Sequence, residues 1–210
     1  MRNIIKSMAF AFGKVLSLLR PTAISDLWHS LATNIYTGYH CRRFRHWGKA
    51  ALLAYRADKL IGLQHISVGE HTELGRHIRL TAWQQPHTTA TPSITIGKRC
   101  RIGDYSHITA INGITIGDDI LTGSNVLITD NAHGLTHASQ LTIPPRQRPL
   151  VSKGKVTIGN RVWIGNNVCI MPGVTIGDGA VIAANSAVTS DIPPCCLAAG
   201  TPARVVKRMQ

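Results

Sequence analysis

Apolar residues in the last third of the chain recur every six positions. Ile158, Ile164, Ile170, Ile176, Ile182 and Val188 hold one phase without a break. The next residue is small in most of these hexads: Gly159, Gly165, Gly177 and Ala183. A period of six matches neither the 3.6 of an amphipathic helix nor the plain alternation of a half-buried strand. It predicts a solenoid in which each hexad forms one short side of a coil. The lead residue of each hexad and the fifth place (Val162, Val168, Val174, Ala180, Ser186) are expected to point inward. The small second-place residue is expected to permit a tight corner.

The same phase begins upstream at Val68, Leu74 and Leu80. Residues 81–93 are polar and contain proline, and they read as a loop. The phase resumes at Ile96, Ile102 and Ile108, and a two-residue insertion resets it to Ile116, Thr122 and Ile128. Residues 129–155 lose the hexad and carry Pro144, Pro145 and Pro149. An excursion of this length inside a compact domain is commonly functional. Arg146, Arg148 and Lys153 make it a candidate substrate arm. Three hexads make one triangular coil, so about five coils are expected, stacked to about 24 Å at roughly 4.8 Å per rung. The chain divides into a helical or irregular extension (1–60), the solenoid (61–192) and a short C-terminal segment (193–210).

The first nineteen residues resemble a signal peptide only superficially. Lys6 and Lys14 interrupt the apolar run, and Arg20-Pro21 follows in place of a small-residue cleavage site. The run is too short and too charged to span a bilayer. Ile4, Ile5, Met8, Phe12, Val15, Leu16 and Leu19 recur at helical spacing and predict a basic amphipathic helix. Packing on its own solenoid or on a neighbouring subunit is the plainer use of such a helix. Peripheral membrane contact through residues 1–20 is the other.

Composition narrows the class. A chain of 210 residues with 44% hydrophobic residues sustains one domain, and 5% aromatics suits a narrow interior of Ile, Val and Ala. The formal charge is +13, of which residues 1–59 hold +8 and the remainder +5. No basic stripe interleaves with aromatics and no nucleic-acid motif occurs, so nucleic acid is not an expected partner. Anionic small molecules, a membrane surface or an acidic polysaccharide fit better. Five cysteines without a C-x-x-C pair or an export signal predict reduced thiols and a cytoplasmic protein. Adjacent Cys195 and Cys196 are poorly placed to pair with each other. Cys100 occupies an inward place, and Cys169 an outward one that only a neighbouring subunit would bury.

Chemistry is sought where the period fails. His133 lies in Thr129-Asp130-Asn131-Ala132-His133-Gly134, where the regular coil ends and the excursion begins. Imidazole accepts a proton from a hydroxyl near neutral pH. Asp130 is near enough in sequence to orient the ring.

Two segments carry a family resemblance. One is Lys155-Val-Thr-Ile-Gly-Asn-Arg-Val-Trp-Ile-Gly-Asn-Asn-Val-Cys-Ile-Met-Pro-Gly-Val-Thr-Ile-Gly. The other is Ala198-Ala-Gly-Thr-Pro-Ala-Arg-Val-Val. Both are similar to the hexapeptide-repeat acyltransferases. The branch with maltose and galactoside O-acetyltransferases is near, and the bacterial surface-polysaccharide O-acetyltransferases are nearer. The resemblance covers roughly residues 66–208 and is most specific over 155–206.

It implies an all-β, left-handed parallel β-helix and a homotrimer with acetyl-CoA sites in clefts between subunits. His133 aligns with the family's catalytic histidine, the general base for direct transfer of an acetyl group to an acceptor hydroxyl in a ternary complex. Trp163, Gly165, Asn166, Ala184, Thr189, Pro202 and Arg204 match coenzyme A positions, and Lys207 could join Arg204 in pairing with its phosphates.

Two departures concern the acceptor. The family's N-terminal segment bearing a sugar-binding acid is not recognisable in residues 1–60. Its acceptor-side asparagine falls where this chain has His107, with Ser106 and Asn112 as alternatives. The expected acceptor is a saccharide, from a surface-polysaccharide or lipopolysaccharide precursor. An antibiotic, serine or an amino sugar stands as the alternative. A zinc enzyme of carbonic-anhydrase type would need His133, His137 and His107 to converge on one metal without regular ligand spacing. A non-catalytic scaffold would leave the coenzyme A-like segment without a role. No metal is expected.

Overall fold

Three parallel sheets wrap a single aliphatic column. The computed structural model describes residues 2–17, 21–85, 91–135 and 137–209. Helix α1 (Arg2–Ser17) and helix α2 (Pro21–Cys41) precede the sheets. Strands then repeat in threes, each pairing in parallel with the equivalent strand one coil on. The result is the left-handed β-helix that the resemblance implies.

The solenoid is longer than the hexad count predicts. His46–Trp47, Leu52–Leu53 and Lys59–Ile61 form a complete first coil inside the segment read as a helical or irregular extension. They pair with Ile66–Val68, Glu73–Leu74 and Arg79–Ala82. Six full coils result rather than about five, or about 29 Å at the usual rung spacing. The period was invisible there because Arg56, Ala57 and Asp58 at the corners and Trp47 at the inner side do not repeat the Ile-Gly signature. A seventh rung, Cys196–Gly200, folds back antiparallel on Ala203–Arg208 and closes the C-terminal end.

The loop read over residues 81–93 is shorter than expected. Thr81 and Ala82 end one strand and Ser93 begins another. Residues 86–90 lie outside the described residues. The excursion begins and ends where the period predicts, between Leu127–Thr129 and Val156–Ile158. It leaves as a two-stranded ribbon, with Ala132–His133 antiparallel to Leu150–Val151.

The inward places are as the sequence pattern assigns them. Ile158, Ile164, Ile170, Ile176, Ile182 and Val188 are buried, as are Val162, Val168, Val174, Ala180 and Ser186. Cys100 is buried too, and burial pushes its thiol pKa up. All five cysteines are free, and Cys169 is half-buried on the outer surface.

The corner works differently from the expectation. The left-handed backbone falls two places after the small residue, at Arg161, Asn167 and Asn185. The small second-place residue answers instead to close approach between coils. A Cβ on Gly165 would lie 2.5 Å from the Ala184 nitrogen. The third place supplies a polar ladder. Asp178 accepts a hydrogen bond from the Asn160 N–H at 2.8 Å, and Asn160 accepts one from the Asp118 N–H at 2.9 Å. At the outer corner, Asn125, Asn167 and Asn185 pass amide bonds from coil to coil.

Helix α2 caps the first coil. The Thr37 hydroxyl accepts from the Leu53 N–H at 2.9 Å and donates to its carbonyl at 3.1 Å. Tyr36 meets the Tyr55 ring edge-on at 5.7 Å. Truncating Ile164, fully buried at the centre of the column, to alanine is expected to lower unfolding free energy by about 2–5 kcal/mol. Denaturant titration reads this directly, and a loss below about 0.5 kcal/mol would contradict a packed column.

Candidate active site

Side chains at the outward place of each strand stack in ladders, because parallel pairing puts equivalent residues one above another. On the second face the ladder runs Leu52, Glu73, Arg101, Leu121, Trp163, Val181 and Leu197. It changes character midway. Its first half carries charge, and from Leu121 onward it is apolar. Trp163, next after Leu121 in the apolar half, is 55% exposed.

A cleft of about 540 Å³ lies against this apolar half. Trp163, Gly165, Asn166 and Ala184 line it together, so four of the eight residues matched to coenzyme A share one wall. Val181, Ile182, Ala183, Leu197 and Gly123 complete it. The sequence marked the four matched residues through the family resemblance alone. Asn166 has a second task, since its side-chain oxygen accepts the Ser124 N–H at 2.8 Å.

The remaining matched residues flank this wall. Lys207 pairs with Leu197, and Arg204 with Ala199, on the antiparallel C-terminal strands. Directly opposed residues share a face, so both cations project on the side of Leu197. Arg204 also donates to the Ala203 carbonyl at 2.8 Å. Pro202 sits exposed in the turn between these strands. Thr189 is exposed just past Ala187–Val188 on the third face and does not line the cleft.

A larger groove of about 920 Å³ continues from the cleft, with Gly123 and Asn166 common to both. Helix α2 forms one wall through Asp26, Trp28, His29 and Thr33. Arg76, Arg101, Glu73 and Asp104 lie on the opposite wall. Two ion pairs run along it: Arg76 meets Asp104 at 2.9 Å and Arg101 meets Glu73 at 3.7 Å. None of these residues was singled out in the sequence, because helix and sheet are brought together only by the first coil.

His133 stands apart from both spaces. It lies exposed on the ribbon, paired with Leu150, and the neighbouring Gly134 N–H donates to the Pro149 carbonyl at 2.9 Å. Gly134 needs its positive φ of 77°, and a Cβ there would meet Gln140 and Arg148.

Asp130 is not positioned as a partner of the ring. It is fully buried, and its carboxylate accepts the N–H groups of Ile111, Asn112 and Gly113 at 2.9, 2.8 and 2.6 Å. It also accepts from the Asn131 side chain at 3.1 Å. The two-residue insertion after Ile108 creates that turn, and Asp130 satisfies its donors. Asn112 is thereby held by its backbone at the root of the arm.

His107 stacks on the third face between Arg79 and Leu127. Ser106, its neighbour, points inward and donates to the Gly103 carbonyl at 2.8 Å, which removes it from the acceptor side. Burial pushes the His107 pKa down to about 4, and repulsion from Arg79 and Lys59 adds to the shift. Among the described residues no group of three or more His, Cys, Asp or Glu could hold a metal ion, so His107, His133 and His137 do not converge.

Residues 155–190 match the model of the bacterial transferase hexapeptide (six repeats), and residues 93–130 that of the hexapeptide repeat of succinyl-transferase. Over 147 residues the chain is 40% identical to WbbJ of Escherichia coli K12, assigned as a lipopolysaccharide biosynthesis O-acetyl transferase. That match spans 68% of this chain and 71% of WbbJ. The galactoside O-acetyltransferase of the same organism is 38% identical over 156 residues, 73% of this chain and 69% of the relative.

The chain belongs to the hexapeptide-repeat acyltransferases. As a member of that family it is an acyltransferase, and acetyl-CoA is its co-substrate. Solved structures share the fold. The N-acyltransferase AntD of Bacillus cereus superposes with a TM-score of 0.69 at 22% identity, covering 85% of this chain and 90% of AntD. The hexapeptide-repeat acetyltransferase VCA0836 of Vibrio cholerae gives 0.54 at 26% identity, covering 81% and 77%.

Two outcomes follow from the geometry. Trp163→Ala, which strips the exposed ring from the cleft, is expected to raise KM for acetyl-CoA more than KM for the acceptor. The reverse pattern in steady-state kinetics would place Trp163 on the acceptor side. The second concerns His107, which stays neutral in the folded chain down to about pH 4 but takes its proton near 6.5 when unfolded. Between those values the unfolded state binds more protons, so stability falls as the pH drops from about 6.5 to about 4. His107→Gln is expected to flatten that part of the profile of urea midpoint against pH; an unchanged slope would refute the assignment.

Proposed function

We propose that this chain is an acetyl-CoA-dependent O-acetyltransferase of a saccharide hydroxyl, acting on a surface-polysaccharide or lipopolysaccharide precursor. The observation that carries the reading is an apolar cleft edged by small residues on one face, with an exposed imidazole on an arm springing from the next. Gly165, Ala183 and Ala184 leave room for an extended pantetheine arm along the coil edge. Arg204 and Lys207 supply fixed positive charge for the phosphates. WbbJ and the galactoside enzyme, both named for O-acetyl transfer, support this acceptor class.

His133 lines neither space of its own chain. In this reading a homotrimer completes the site, with the arm of one subunit brought to the Trp163 cleft of its neighbour. The His133 imidazole takes the proton of the acceptor hydroxyl as its oxygen attacks the thioester carbonyl. A backbone N–H at the cleft stabilises the oxyanion. Collapse expels the coenzyme A thiolate, which recovers the proton from the imidazolium, leaving the acetyl ester and the free thiol. His107 and Asn112 stand on the acceptor side, at the root of the arm, and Asp130 acts on the site by holding that root. Thr189 and Pro202 contribute at the C-terminal edge of the coenzyme A channel. The enzyme works in the cytoplasm, with residues 1–20 in peripheral contact with the inner membrane face.

Thiol release from acetyl-CoA, measured over a panel of saccharides, serine, amino sugars and antibiotics, tests the reading. Transfer to a saccharide hydroxyl is expected. His133→Ala is expected to keep the fold and lose at least about a hundredfold in rate. Near wild-type turnover of that variant, or turnover confined to a non-saccharide acceptor, would overturn it.

A further inference from the structure

Helix α2 has two sides with opposite relations to water. One side is docked: Thr37 and His40 are buried, Thr37 bonds to Leu53, and the Tyr55 N–H donates to the Thr33 hydroxyl at 3.3 Å. The other side carries Leu27, Leu31, Ile35 and Tyr39, four residues apart, with Trp28, which also edges the groove, beside the first. A four-residue spacing draws them into one stripe about 18 Å long. All five are exposed, Leu27 by 70% and Tyr39 by 76%. Scattered exposed apolar residues are ordinary, but a continuous stripe marks a docking surface.

Charge identifies the occupant. No acidic residue occurs before Asp26. In α1 every described side chain is exposed, so those side chains do not pack on the chain's own solenoid. Met8, Phe12 and Val15 fall on one side of α1 and Lys6 and Lys14 on the other. Just past the C-terminal end of α2, Arg42, Arg43 and Arg45 are exposed. Among the described residues none of these five cations pairs with a carboxylate. A second copy docked on the stripe would press two such cationic segments together as water is excluded, which strengthens their repulsion. An anionic lipid surface meets both the apolar stripe and the positive charge. Trp28 and Tyr39 lie near the two ends of the stripe, and these aromatics favour the level of lipid headgroups. No described helix is long and apolar enough to cross a membrane.

We infer that the outward stripe of α2 is the surface that docks this protein on an anionic bilayer, lying in its interface beside the basic helix α1. The inference rests on the membrane contact proposed for residues 1–20, extends it to a face the solenoid itself holds in place, and is independent of the reaction assigned to the cleft.

Co-flotation of the full chain with vesicles of phosphatidylcholine alone, or mixed with phosphatidylglycerol, tests it. Binding to the mixed vesicles only, weakened by salt, is expected. Changing Leu27, Leu31 and Ile35 together to serine is expected to reduce binding at least about tenfold. The thermal unfolding midpoint and acetyl transfer to a soluble acceptor should stay near wild type, since these side chains face solvent. Binding of this triple variant equal to wild type would overturn the inference, even if removal of residues 1–20 abolished binding, because α1 would then dock alone. It would also be overturned if the wild type ignored both vesicles while the triple variant lost subunits by light scattering, since a second copy would then be the occupant. Loss of vesicle binding with acetyl transfer intact separates this inference from the assignment of the cleft.

Discussion

Strands of a parallel sheet stack at about 4.8 Å, and that spacing governs nearly every residue of the solenoid. An unbroken aliphatic column must fill the interior at the same pitch, which explains the run from Ile158 to Val188. Backbones at the corners approach so closely that a side chain at Gly165 would collide with the next coil. Third-place Asp and Asn residues then take up the N–H groups that the turning backbone leaves free, as Asp178 does for Asn160. Freedom for chemistry survives only in the outward ladders and wherever a coil is interrupted.

Those two exceptions hold the candidate site. The second-face ladder passes from Glu73 and Arg101 to Leu121, Trp163 and Val181, so one continuous surface offers a polar groove and an apolar cleft. The interruption after Thr129 carries His133. Asp130 anchors the interruption mechanically, since one carboxylate ties the arm's first residues to the turn at 111–113. Burying that charge is tolerable because three backbone donors and an asparagine amide surround it.

What could be read from the chain depended on how directly a residue expresses the coil. Inward positions were legible because the spacing leaves them no alternative. The arm was legible as a break in phase, and Trp163, Gly165, Asn166 and Ala184 as a resemblance that the fold then gathers on one wall. The first coil was not legible, since Trp47, Leu53 and Leu60 carry the core without the hexad signature. For Asp130 the sequence offered only nearness to His133, whereas the three backbone donors that hold its carboxylate lie a full coil away. The stripe on α2 escaped notice because only the docking of Thr33 and Thr37 reveals which side of that helix remains outside.

The arm leaves the third face after Thr129 and returns to the first face at Val156, two ends that meet at a single corner of the prism. Each coil binds only its neighbours, so the rungs on either side register nothing of what the arm contains. A lineage could lengthen, shorten or exchange these residues while the cleft beside Trp163 and the column beneath it stay as they are. Change in the arm is thus decoupled from folding by the geometry of one corner.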